Sequence, residues 1–425
     1  MKVLIVGSGA REHALTWKAL QSPLTNAVYC APGNAGTAAI AINTDLEATD
    51  VDGIARFVKD RGVELTIIGP EAAVAAGLAD RLTAEGRLVF GPTKVAGQIE
   101  SSKAYAKALM ERVGVPTPAF RVFDNPATAK DFVRGERRPF VVKADGLARG
   151  KGTLVPRDVE ETLECIDSLM LKKTVGAAAD RIVLEEKIEG REVSLMALVD
   201  GERVLPLAPA CDYKRAFDGD RGPNTGGMGG YSPVSFFASE DVDRAVGTVL
   251  RPVVDALREE GSPYGGCLYA GLMVGASGMQ VLEFNARFGD PETQLVLPRL
   301  ETDLIALLEA AARGHLGDVT ASWSVRSSVG VVLASGGYPS TYTTGYPIEG
   351  LGRVEPGVLV FHAGTAADPS GYVTAGGRVL TVVGLGDSIS DARERVYRNV
   401  ERIRFQGASY RQDLALRELE APALP

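Results

Sequence analysis

Histidine is nearly missing from this chain: His13, His315 and His362 are the three present, and none stands in a triad or a metal-ligand spacing. Catalysis by imidazole is disfavoured on that ground. Cysteine is also sparse, and Cys30, Cys165, Cys211 and Cys267 are scattered with no Cys-x-x-Cys pair, which argues against a disulfide framework or a thiolate zinc site. Ordinary buried thiols in a reducing cytoplasm are the expectation. Long apolar runs are missing as well. The opening Lys2 to Val6 run is too short for a signal peptide, and no stretch of about eighteen apolar residues follows. A cytoplasmic protein without a membrane partner is expected. Basic blocks are missing too: acidic and basic residues are interspersed to a net charge of -8, which gives no electrostatic reason to expect nucleic acid or an anionic surface. Small charged metabolites remain as partners.

What is present is enough apolar content, 45%, to fill the cores of about two to four domains. No repeats or low-complexity tracts interrupt the chain. In the first hundred residues short apolar runs (Val3 to Val6, Val28 to Cys30, Leu65 to Ile68, Leu88 to Phe90) alternate with helical patterns (Glu12 to Gln21, Ile54 to Lys59, Ala72 to Ala84). That alternation predicts a doubly wound parallel sheet with its ligand face at the strand C-terminal ends. A helix over Lys103 to Arg112 leads to the double-proline stretch Gly114 to Pro118, a linker. A second unit follows, with strands near 119–123, 140–143, 153–155 and 182–186 and helices near 127–133 and 159–171. The third stretch has strands at 192–199, 203–208, 268–274 and 280–285, helices at 241–260 and 302–313, and a long loop, Asp212 to Pro233. From about Ser324 a last unit ends in a helix with Ser388 as N-cap and Ala392, Val396, Val400 and Ile403 on one face.

Four motifs carry chemistry. In Leu282-Glu283-Phe284-Asn285-Ala286-Arg287-Phe288 a strand would put Glu283, Asn285 and Arg287 on one face and Leu282, Phe284 and Phe288 against a core. A carboxylate and an amide oxygen suit Mg2+, and a guanidinium beside them suits phosphate; the alternation alone favours a solvated polar face, the commoner case, and the Gly289-Asp290-Pro291-Glu292 turn beside it is what points further. Lys143 to Gly152 holds a glycine turn flanked by two lysines, whose spacing excludes a Walker loop but not nucleotide binding by another fold. In isolation it also reads as a hairpin with solvated lysines. Gly7-x-Gly9 opens a helix and could turn backbone N–H groups toward a phosphate or carboxylate, or be a plain tight turn. Glu12 at the third glycine position, and Asn34 where a ribose-binding acid would stand, argue against a nicotinamide dinucleotide site. Gly226-Gly227-Met228-Gly229-Gly230 places four glycines in five positions behind the Asp212-Tyr213-Lys214-Arg215 cluster. Such a loop is expected to bury little and to be ordered by a charged ligand.

In order along the chain, Lys143 with its glycine turn, Glu185-Glu186, and Glu283-Phe-Asn285-x-Arg287 resemble the ATP-grasp superfamily. The fuller strings Gly7 to His13, Ala31 to Thr37, Gly69-Pro70-Glu71, Lys143 to Leu147, Gly222 to Gly229 and Glu283 to Gln294 resemble the phosphoribosylamine-glycine ligase family, from residue 1 to about 413. That resemblance implies an α/β chain of three parts. These are a doubly wound parallel-sheet pre-ATP-grasp domain (1–102), a two-lobed α+β ATP-grasp domain (103–318, small mobile lobe about 119–188), and a small C-terminal α/β domain (324–425). It implies ATP and Mg2+ or Mn2+, the substrates glycine and 5-phosphoribosylamine, a glycyl phosphate intermediate, and a monomer or weak homodimer. Residue by residue it assigns Glu283 and Asn285 to the metal. Lys103, Lys143, Gly150 and Lys151 go to the ATP phosphates, and Glu185, Glu186 and Ile188 to the nucleoside end. Arg287, Asp290 and Lys214 go to the reacting centre, and Gly9, Glu71, Asp212, Asn224, Thr225 and Gly226 to the substrates.

Three departures from the family pattern stand out. Arg149 replaces a small residue in the glycine turn, Ala270-Gly271-Leu272 offers no second carboxylate beside Glu283, and Ala415 stands where glycine is usual, a change expected to cost little. The rival readings are a sister ATP-grasp ligase using formate or bicarbonate, a nicotinamide oxidoreductase, and a nucleotide sensor without catalysis.

Overall fold

Strand Lys2–Gly7 shows why the first unit folds as it does. Val3 and Ile5 pack into one core and Leu4 and Val6 into another on the opposite face, so the run is apolar throughout because both faces of its sheet are covered. The computed structural model describes residues 1–420 apart from Arg149 and Ser370; the glycine-turn departure at Arg149 lies outside the described residues. Lys2–Gly7 is flanked by Ala27–Pro32 on one side and Leu65–Ile68 on the other, and Ile42–Asn43 and Val89–Phe90 complete a five-stranded parallel sheet. The order reverses between Lys2–Gly7 and Leu65–Ile68, which opens a crevice at their C-terminal ends.

The second unit is a four-stranded antiparallel sheet in which Ile182–Glu186 lies between Phe120–Phe123 and Phe140–Ala144, with Thr153–Leu154 at the edge. Helices Pro126–Glu136 and Val159–Ile166 give it a core of its own, including Val133, Val142, Ile166 and Leu184. The third sheet orders Val204–Pro206, Arg191–Asp200, Gly265–Gly275 and Gly278–Asn285, all antiparallel. A fourth sheet joins Cys211–Asp212, Gly229–Ser232, Ser327–Ala334, Arg378–Gly386 and Leu359–His362. Among the described residues no helix is long and apolar enough to cross a membrane.

Several elements differ from the sequence expectation. The helix expected over 72–84 is two, Glu71–Ala75 and Leu78–Ala84, broken at Gly77 in the left-handed region (φ 83°). The one over 241–260 widens to a π-helical stretch at Val246–Leu250 before Pro252, which has no N–H for the carbonyl four residues back. The stretch Asp212 to Pro233 is a hairpin (Arg215–Phe217 with Arg221–Asn224) followed by the buried strand Gly229–Ser232. Gly229 and Gly230 are buried against backbone: a Cβ at Gly229 would lie 2.2 Å from the Gly330 oxygen, and one at Gly230 2.1 Å from the Cys211 oxygen. Close strand approach, and not ligand-induced order, is what Gly229 and Gly230 serve.

The last helix, Ile389–Val400, has its cap and buried face as read, the Ser388 hydroxyl accepting from Asp391 N–H at 3.1 Å and Ala392, Val396 and Val400 fully buried, but it ends before Ile403, which is buried beyond its last turn. Ala415 does not follow the expectation. It is buried with φ 64°, in the left-handed region where a Cβ is unfavourable by about 1 kcal/mol or more. Ala415→Gly should therefore raise stability by about 0.5–1 kcal/mol after the extra freedom glycine gives the unfolded chain, read as a shift of the urea midpoint; an unchanged or lower midpoint would contradict this.

His13 joins the first and last units. Its Nδ1 accepts from His362 N–H at 2.8 Å, and its ring lies edge-on to Phe361 at 5.8 Å. Burial, reinforced by His362, holds His13 down at about 3, and burial holds His362 at about 4. Both are neutral in the fold and protonate more readily when unfolded, so the stability each protects is complete above about 6.5. It is lost as pH falls toward 4, by up to about 1.4 kcal/mol per pH unit for each histidine. In His13→Asn, whose Oδ1 can still accept the His362 N–H, urea midpoints compared at pH 7 and 4.5 should show a shallower acid loss than in the parent; an identical loss would contradict this.

Candidate active site

The crevice of the parallel sheet opens into a cavity of about 1040 Å³ whose walls come from every unit of the chain. Gly9 and Glu71 stand at the strand ends, and Lys103 on the helix Lys103–Arg112. The second unit supplies Lys143, Gly150, Glu185, Glu186 and Ile188. Asp212, Lys214, Asn224, Thr225 and Gly226 come from the hairpin segment, and Glu283, Asn285, Arg287 and Asp290 from the end of Gly278–Asn285 and the turn after it. Of the residues singled out in the sequence, Lys151 stands apart: it is exposed and off the cavity wall.

The strand carrying Glu283 does not alternate as expected. Gly271 pairs with Glu283 but Leu272 pairs with Val281, so Leu282 bulges out of register. Leu282 therefore lines the cavity and does not back onto the core, and its carbonyl accepts from Lys143 Nζ at 2.9 Å. Phe284 and Phe288 are buried as read. Burial works against the Glu283 carboxylate, but Lys214, Lys103, Lys143 and Arg287 outweigh it and hold its pKa below the ordinary value. The Asn285 Oδ1 accepts from Arg287 Nη2 at 3.3 Å. Position 271 lies directly opposite, where a Cβ would be 3.5 Å from Glu283 Cγ, so glycine there leaves that side without a further donor. Among the described residues no group of three His, Cys, Asp or Glu is placed to hold a metal. An ionised carboxylate and an amide oxygen fit a hard divalent cation that takes the rest of its shell from phosphate and water.

Cations converge on the second unit's side. Lys143 Nζ donates to Glu185 Oε1 at 2.8 Å, and Lys107, fully buried, pairs with Glu185 Oε2 and donates to Thr117 Oγ1 at 2.5 Å. Burial lowers the Lys107 ammonium to about 8, with Glu185 opposing. Lys107 is absent from the sequence reading, yet its spacing of four from Lys103 puts both on one helix face. Asp145 pins that helix to the glycine turn: its Oδ1 accepts Ala104 N–H at 2.7 Å, and its Oδ2 accepts Arg181 Nη2 at 2.6 Å.

At the other end Arg287 pairs with Glu100 at 3.2 Å and Glu71 at 3.5 Å. Burial disfavours its charge, but Glu100, Glu71 and Glu292 keep its pKa above the ordinary value. Lys214 Nζ lies 3.0 Å from Glu192 and 3.9 Å from Glu283. Burial raises the Asp212 carboxyl to about 8, Lys214 counteracting. Asp290 is gripped by Arg378: Nη2 meets its carboxylate at 2.9 Å, while Nη1 donates to the Asp290 and Gly226 carbonyls at 3.0 and 2.7 Å. Nothing near Arg378 in the sequence marks it, because its partners lie 88 and 152 residues away. The N–H of Gly9 does not face an external anion; the chain's own Glu12 carboxylate accepts it at 2.6 Å. Asn34, in turn, caps the helix Ala35–Ala38 and donates to His362 O at 2.8 Å.

Comparison with known proteins gives the family. Residues 1–100 match the model of the phosphoribosylglycinamide synthetase N domain, 101–293 its ATP-grasp (A) domain and 328–417 its C domain. A phosphoribosylamine–glycine ligase of Halalkalibacterium halodurans is 45% identical over 424 residues, 100% of this chain and 99% of that protein. One of Neisseria meningitidis serogroup A is 46% identical over 417 residues, 98% of this chain and 99% of that protein. The crystal structure of a phosphoribosylamine–glycine ligase from Thermotoga maritima superposes with a TM-score of 0.85 at 34% identity, covering 98% of this chain and 100% of that one. The chain belongs to the phosphoribosylglycinamide synthetase family.

Proposed function

We propose that this protein ligates glycine to 5-phosphoribosylamine with hydrolysis of ATP to ADP and phosphate, giving glycinamide ribonucleotide in the second step of purine synthesis. The observation that supports this most is the meeting, in one cavity, of Lys103, Lys143, Glu283, Asn285, Arg287 and the Arg378-bound Asp290. Transfer of a phosphoryl group needs alignment and charge neutralisation and no protein nucleophile, which accords with His13 and His362 being buried, with pKa values held down at about 3 and 4.

In this reading a glycine carboxylate oxygen attacks the γ-phosphorus of ATP, ADP leaves, and glycyl phosphate forms. The ribosylamine nitrogen then attacks the acyl carbon, the carbon–oxygen bond to phosphate breaks, and the nitrogen gives up a proton. Lys103 and Lys143 neutralise the ATP phosphates, and Glu185, besides lining the nucleoside end with Glu186 and Ile188, holds Lys143 in place. Gly150 and Lys151 belong to the turn that covers the phosphates. Glu283 and Asn285 would hold Mg2+ or Mn2+, which when bound neutralises phosphate charge. Arg287 steadies the transferring group. Asp290 and Lys214 face the reacting atoms, and Gly9, Glu71, Asp212, Asn224, Thr225 and Gly226 enclose glycine and the amine.

We divide the chain into 1–102, 103–318 with a small mobile lobe at about 119–188, and 324–425. The separate core of that lobe, which shares no buried cluster with the rest, supports its moving as a body. The substrates are small molecules, the setting is the cytoplasm, and the protein acts as a monomer or weak homodimer. Glycine labelled with 18O in its carboxylate should deliver one labelled oxygen to inorganic phosphate during turnover; unlabelled phosphate would rule out the glycyl phosphate route.

A further inference from the structure

Residues 411–415 take no part in the reaction as drawn, yet their polar groups converge on the segment that carries Asp212, Lys214 and Asn224. The Arg411 side chain has no exposed surface. Its Nη1 donates to Asp220 Oδ1 at 2.8 Å and to Arg215 O at 3.0 Å. Its Nε and Nη2 form a two-point pair with Asp413 at 2.8 and 2.6 Å. The guanidinium lies 4.7 Å from the centre of the Tyr213 ring. Backbone completes the grip: Gly219 N–H donates to Asp413 Oδ2 and Gln412 N–H to Asp218 Oδ1, both at 2.8 Å, and Ala415 N–H donates to the Tyr213 hydroxyl at 3.0 Å.

Backbone hydrogen bonds of 2.7–2.9 Å tie Tyr213 to Gly229 and Met228 and Lys214 to Thr225; the hairpin beyond them has less. The hairpin Arg215–Phe217 with Arg221–Asn224 pairs at Arg215–Asn224 and Phe217–Arg221 with an irregularity between them, and a lone short hairpin is marginal in water. Tyr213 stands between Asp212 and Lys214. It is buried against Arg411 and, like its two neighbours, borders the cavity, so the contact with Arg411 bears on both of them.

We propose that the C-terminal tail is a latch on the substrate end of the site, with Arg411, backed by Asp413, as a positioning residue for Asp212, Lys214 and Asn224. The naming of glycine and the ribosylamine as what that end binds rests on the function proposed above; the latch itself rests on contacts alone. Arg411 bonds to Arg215, Asp220 and Asp413 and to none of the nucleotide-end residues; the segment meets the second unit through Asn224 Nδ2, which donates to Thr153 O at 3.1 Å.

The test is Arg411→Met in the full-length protein, with Arg411→Lys as the conservative variant and Asp413→Asn as a milder break of the same pair. Hydrogen exchange should speed up about tenfold or more across 212–224 in Arg411→Met, stay unchanged across 140–186, and fall between the two levels in Arg411→Lys. The KM values for glycine and the ribosylamine should rise about tenfold, with ATP affinity, read with a fluorescent ATP analogue, within about twofold of the parent. Unchanged exchange over 212–224, or equal loosening of both regions with equal loss of nucleotide affinity, would overturn the latch. If Arg411→Met does not fold, Asp413→Asn decides by the same two readouts. Should the parent protein form no ligation product, the function fails while the exchange measurement still judges the latch.

Discussion

Glu283→Ala should lose about 10²–10³-fold or more in glycine- and amine-dependent ADP formation while remaining as stable as the parent. The size of the loss follows from what the carboxylate does in the proposed site: it is one of two oxygen donors from a single strand, and Gly271 opposite supplies none. Removing a preorganised electrostatic group at a charge-transferring centre costs about that much. Stability should hold because Glu283 is half-buried at the cavity wall and the buried side of the strand is kept by Val281 and Phe284. Lys214, its nearest cation, keeps Glu192 at 3.0 Å. Near-normal turnover at saturating Mg2+ would remove Glu283 from the metal site.

Arg287→Met should damage both folding and chemistry. Arg287 is largely buried and pairs with Glu100, whose side chain is 8% exposed, and with Glu71. Deleting the cation leaves a buried carboxylate without its compensating charge, at about 3–5 kcal/mol. Activity should fall by about 10²-fold or more through loss of the group that steadies the transferring phosphoryl. The two effects separate in the double variant Arg287→Met with Glu100→Gln: the amide can still accept Ala286 N–H, now made to Glu100 at 2.8 Å. Its urea midpoint should recover most of the loss while kcat/KM stays low. Recovery of activity along with stability would mean that Arg287 acts only in the fold.

How much of this was legible in the sequence depends on how local the cause was. The parallel sheet could be read because runs such as Val3 to Val6 are apolar at every position, as a strand covered on both faces must be. The last helix could be read because its cap and its buried face lie within a dozen residues. Glu283, Asn285, Lys143 and Asp212 stood out by residue type and order. The Leu282 bulge could not be read, because it depends on how Gly271 and Leu272 pair from the neighbouring strand. The glycines at 226–230 read as a loose loop because the sequence does not show that the Arg378 and Pro291 side chains and two neighbouring backbones lie against them. Arg378 escaped for the same reason, since its value comes from Asp290 and Gly226, far along the chain. Glu12 was noted as a missing glycine; only the fold shows its carboxylate taking the Gly9 N–H.

The central claim is that one cavity couples ATP cleavage to the joining of glycine and phosphoribosylamine, and the most direct measurement is ADP release with ATP, Mg2+ and glycine, with and without freshly generated phosphoribosylamine. The account predicts steady ADP formation only when both glycine and the amine are present, with one glycinamide ribonucleotide formed for each ADP. ADP released equally fast without the amine, or equally fast when formate or bicarbonate replaces glycine, would contradict it.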